Sequence, residues 1–92
     1  MGNIRVLPVT DSERGAWSYA AGVNGTVVVG AGKRVIGITA YSNAGGTLTI
    51  DGGDSVVIPA GSAIDIAPRG NLIAPTIVFS AGITSYFVET VI

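Results

Sequence analysis

The run Asp51-Gly52-Gly53-Asp54 holds two carboxylates three residues apart. Paired carboxylates are the first place to look for cation binding or acid–base chemistry. A calcium ion takes roughly six to eight oxygen ligands, and one turn with two aspartates falls short of that. Aspartate also favours turns because its side chain bonds nearby backbone N–H groups, so the run reads as a turn. Asp65, within Ile64-Asp65-Ile66, is expected to face outward on a strand, with Arg69 four residues on as a partner in a surface or inter-subunit ion pair. Glu13, Asp65 and Glu89 show no spacing that picks out the two carboxyls a glycoside hydrolase sets across a cleft.

Nucleophilic chemistry has as little support. The chain has no cysteine and no histidine, so thiolate sites, disulfides, the commonest metal ligand and the commonest general base are all missing. Gly-x-Ser-x-Gly does not occur, and no motif joins a serine to Lys33. Gly30-Ala31-Gly32-Lys33-Arg34 departs from a phosphate loop: Gly25 lies one position too near, and Arg34 stands where a Ser or Thr is required. It leads into a strand-like run and reads as a hairpin turn. The expectation is a protein that is not an enzyme and carries no cofactor or metal.

Short β-branched runs separated by glycine dominate the rest. Fourteen glycines in 92 residues are about twice the usual share. Three segments repeat one scheme, an apolar run, an Ala-Gly pair and a second apolar run: VVVGAGKRVIGIT at 27–39, VVIPAGSAIDI at 56–66 and IVFSAGITSYFVE at 77–89. Period-two alternation pairs Leu48 with Ile50, Val56 with Ile58, Ile64 with Ile66, and Ile77 with Phe79. The pattern predicts strands over 3–7, 16–20, 26–30, 34–41, 46–50, 55–59, 63–67, 75–80 and 84–91, with no helix. Pro68 and Pro75 bracket a longer corner. The expected fold is all-β: a single small β-sandwich, jelly-roll-like, of about eight or nine short antiparallel strands. Residues 1–15 form an N-terminal arm or edge strand ahead of a β-sandwich domain over 16–92.

Composition bears on partners. Charged residues make up 12% of the chain against roughly 25% in an average soluble domain. A weakly charged surface with a net charge of −1 favours association. Arg5, Arg14, Lys33, Arg34 and Arg69 are scattered, so neither nucleic acid nor a membrane surface is an expected partner. No segment is long and apolar enough to span a bilayer as a helix. The last run, Ser85 to Ile92, and the run Val35 to Tyr41 have apolar residues on both faces. A sandwich strand with one solvated face should show a polar stripe, so some outer surface is expected to be covered, by the arm or by another subunit. Trp17 and Tyr19 share one strand face, and three environments suit them: core, an interface anchor, or a platform for stacking sugars.

The run GGTLTIDGGDSVVIPAGSAIDIAPRG, with TIVFSAGITSYFVETVI after it, resembles small all-β virion proteins of tailed bacteriophages, among them capsid decoration (cement) proteins and short tail or fibre modules. The resemblance covers roughly residues 26–92. It lies in general character, with glycine-rich hairpins, a Pro-Ala-Gly turn, few charges, and no Cys or His. It implies a homotrimer of β-sandwich or jelly-roll subunits, made in the host cytoplasm and seated on the capsid surface, with itself and the major capsid protein as partners. No functional residue carries over from it. The residues expected at the contacts are Ile4, Arg5 and Arg14 in the arm, Trp17, Tyr19, and Arg69 at the corner. A tail, fibre or spike component, or a carbohydrate-binding β-sandwich module, is the alternative.

Overall fold

Each apolar run is a strand, and the strands pair as a long hairpin rolled up on itself. The computed structural model describes residues 17–68 and 72–92. The elements are β1 (Ser18–Gly22), β2 (Gly25–Val28), β3 (Arg34–Ser42), β4 (Gly46–Ile50), β5 (Ser55–Ile58), β6 (Ser62–Ile66), β7 (Thr76–Phe79) and β8 (Ser85–Val91). β1 pairs with β8, β2 with β7, β3 with β6 and β4 with β5, all antiparallel. Two further pairings, β3 with β8 and β4 with β7, close the strands into sheets of order β1-β8-β3-β6 and β2-β7-β4-β5. This is the strand order of an eight-stranded jelly roll, two sheets with Greek-key connections between them. The expected strand over 3–7 lies outside the described residues. The other eight expected strands are present, with ends shifted by up to two residues.

The inward positions of the alternation fill the core. Val35, Ile38, Ala40 and Val88 from the first sheet meet Leu48, Ile58, Ile77 and Phe79 from the second, with Val29 and Ile83 from loops. Phe79 and Tyr86 stack across the two sheets with ring centroids 4.2 Å apart. The register of β3 shifts between Val35 and Gly37, leaving Ile36 as the extra residue of a bulge. The bulge turns both Val35 and Ile38 inward although they are three residues apart. That explains why the run from Val35 shows no clean polar stripe.

The three Ala-Gly turns use their glycines for two different reasons. At Ala31-Gly32 and Ala60-Gly61 the glycine has φ of 82° and 76°, in a turn closed by Lys33 N–H to Gly30 O and by Ser62 N–H to Pro59 O. Positive φ at the third turn position is the type II requirement, and glycine meets it without strain. Gly82 needs no positive φ. A Cβ there would run into the carbonyl oxygen of Gly45, so this glycine is set by close backbone approach. Ser42 Oγ, buried beside it, donates to Gly82 O at 2.7 Å and ties two loops together.

The connections 23–24, 43–45, 59–61 and 80–84 gather at one end of the sandwich, and 29–33, 51–54, 67–68 and 72–75 at the other. Lys33, Arg34, Asp51 and Asp54 all belong to the second end, while the first carries no charged residue. Asp51 works as a turn residue: its Oδ1 accepts from Thr76 N–H at 2.8 Å, and Gly53 N–H closes the turn on Ile50 O. No helix of the described residues is long and apolar enough to cross a membrane.

Candidate interaction surfaces

The outward positions of the first sheet carry an aromatic stack. Tyr19 on β1 leans toward β8, where its register neighbours Glu89 and, one pair on, Phe87 also face outward. The Tyr19 and Phe87 rings stack at 4.9 Å and 20°, and Trp17 closes on the other side of Tyr19 at 5.5 Å and 38°. Trp17 is 44% exposed and Tyr19 57%, so the core environment considered for Trp17 is not the one it has: it sits on the outer surface. The half-cover over Phe87 comes from Tyr19 of the same chain, which accounts for part of the two-sided apolar pattern of β8. Across the same face, Thr39 Oγ1 donates to Asp65 Oδ1 at 3.4 Å. Tyr19→Ala removes a partly exposed stack and is expected to cost about 1 kcal/mol, read as a shift in the urea midpoint.

Of the residues expected at contacts, the structure brings Trp17 and Tyr19 into one cluster. Ile4, Arg5, Arg14 and Arg69 lie outside the described residues, so the Asp65–Arg69 pair does too.

The second sheet has an outer face that residue-by-residue reading of the sequence does not reveal. The register lines up Thr26, Val78, Thr49 and Ser55 straight across all four strands. Val28 opposes Thr76, and Thr47 opposes Val57, on either side of that row. These side chains are threonine, valine and serine; charge enters only at the end of the Val28–Thr76 row, where Asp51 N–H donates to Thr76 O and Asp51 Oδ1 accepts from Thr76 N–H. Val28 is 74% exposed and Val57 69%. The hydroxyls of Thr49 and Ser55 bond to each other at 2.9 Å. The signal is present in the sequence as threonines alternating with core residues in Thr47-Leu48-Thr49 and Thr76-Ile77, but threonine reads as solvated surface until the register shows its neighbours.

No group of three or more acidic side chains able to hold a metal ion occurs among the described residues. No protein-family model, no curated protein and no solved structure matches the chain.

Proposed function

We propose that this jelly roll is a non-enzymatic structural protein of a tailed-bacteriophage virion, a capsid decoration or cement protein. It assembles with copies of itself, as a trimer, and seats on the shell built by the major capsid protein. The observation that carries the reading is the outer face of the sheet β2-β7-β4-β5, uncharged but for Asp51 at one end and studded with exposed valines. Edge and outer surfaces of monomeric β proteins are ordinarily guarded by charge, lysine above all. An unguarded face supports burial against another protein. Binding only to the assembled shell would stabilise that state by linkage.

The ring geometry weighs against the carbohydrate-binding alternative. A sugar stacks on an open ring face, and Tyr19 has Phe87 stacked on it and Trp17 tilted against it. A tail, fibre or spike component would use the same apolar faces and differ in its partner.

Co-sedimentation with empty shells of the cognate major capsid protein tests the proposal: pelleting with shells and not with purified tails supports it, and the reverse moves the protein to the tail. Val28→Lys combined with Val57→Lys is expected to abolish self-association by light scattering. Both side chains are exposed, so the melting curve should change by no more than about 0.5 kcal/mol per site.

A further inference from the structure

A crevice of about 140 Å³ opens between the edge strands β1 and β2, bordered by Tyr19 of the aromatic stack and Val28 of the second sheet's outer face. Its apolar walls include Ala20, Val27, Val29 and Val88. Its polar end is formed by Ser18, Thr90 and Lys33. Ser18 and Thr90 occupy inward-facing positions, where the alternation of β1 and β8 otherwise places apolar side chains or glycine. Their hydroxyls meet at 2.6 Å, and Thr90 Oγ1 also reaches Ser18 O at 3.3 Å. Lys33 Nζ donates to Ser18 Oγ at 3.5 Å, a long bond that leaves most of the ammonium's donor capacity unused. Among the described residues no carboxylate pairs with Lys33.

We infer that this crevice binds a carboxylate on a short aliphatic stem. The ammonium of Lys33 and the hydroxyl of Ser18 take the carboxylate at the mouth, and the stem lies along the valines. A cavity of roughly 150 Å³ lined by aliphatic side chains accepts a benzene-sized molecule, so a stem of about four carbons is the right size. A positive charge at a half-buried position gains most from an anion that brings its own apolar surface. The ligand is a free short-chain acid, since a glutamate side chain carries only two methylenes and falls short of the crevice's depth. The site belongs to a single subunit and stands whether or not the assembly reading does.

The test is a titration of the full chain with pentanoate, followed on the valine methyl resonances by NMR, with pentanol and pentylammonium as matched probes. Saturable shifts at Val27, Val29 and Val88 with pentanoate alone, weakened about tenfold or more by Lys33→Met, are the expected result. Equal shifts with pentanol or pentylammonium, no saturable shift with pentanoate, or a Lys33→Met protein that binds pentanoate unchanged would overturn the inference. Ser18→Ala, which keeps the charge, is expected to weaken binding less than Lys33→Met, and the reverse order also counts against it. Light scattering during the titration is expected to show an unchanged mass, and dissociation of an oligomer by pentanoate would overturn the assignment of the crevice to a single subunit.

Discussion

Phe79→Ala is expected to destabilise the protein by about 3–5 kcal/mol, the range for removing a large aromatic from a packed core. Phe79 is fully buried, opposes Leu48 in the register and stacks on Tyr86 of the other sheet. Its loss would open a cavity between the sheets and remove the aromatic pair that joins them across the core. A domain of this size has total stability of about 5–15 kcal/mol, so the variant would sit near the limit of folding. Phe79→Leu keeps most of the volume and should cost about 1.5 kcal/mol or less. Urea unfolding followed by far-ultraviolet circular dichroism reads both. Val78→Ala, next along the same strand and facing out, is the control: a loss equal to that of Phe79→Ala would mean that the inward and outward faces of β7 are misassigned.

Gly82→Ala is expected to cost about 3 kcal/mol or more, at the upper end of overpacking penalties. The added methyl would meet the backbone carbonyl of Gly45, and backbone yields less readily than a side chain. Gly61→Ala makes the comparison informative. Gly61 has a left-handed φ of 76° and open space around its Cβ position, so its cost is conformational, about 1 kcal/mol. Two glycines of the same Ala-Gly motif are thus ranked by different physics. Thermal or urea midpoints that placed Gly61→Ala as the more damaging would contradict the close approach of the loops 43–45 and 80–84.

Strand positions are legible in the sequence because each strand buries one face, and the alternation of Leu48 with Ile50 or Ile77 with Phe79 follows directly from that. A jelly-roll-like sandwich is legible from the count of short runs and turns. The strand order is not, because pairing β1 with β8 joins residues at opposite ends of the described chain and leaves no local mark. The β3 bulge is hidden for a related reason: two consecutive apolar residues, Val35 and Ile36, look the same whether one is extra or both are in register. Trp17 suits three environments on sequence grounds because aromatic character alone does not report burial. Its partner ring is Tyr19 nearby, which in turn stacks on Phe87 at the far end of the chain.

The candidate interaction surfaces are legible only in their lack of charge. Low charge points to association, but which face lacks charge depends on the register. The register sets the threonines and valines of β2, β7, β4 and β5 in rows, and the connections place Lys33, Arg34, Asp51 and Asp54 together at one end. The crevice beside Lys33 is invisible in the sequence for the same reason, since Ser18 and Thr90 meet only when the first and last strands pair.

The central claim is that this subunit buries its uncharged face against copies of itself. The most direct measurement is the solution mass of the purified protein by light scattering over a dilution series. The expected result is a trimer whose mass persists on dilution. A monomer at every concentration would contradict it.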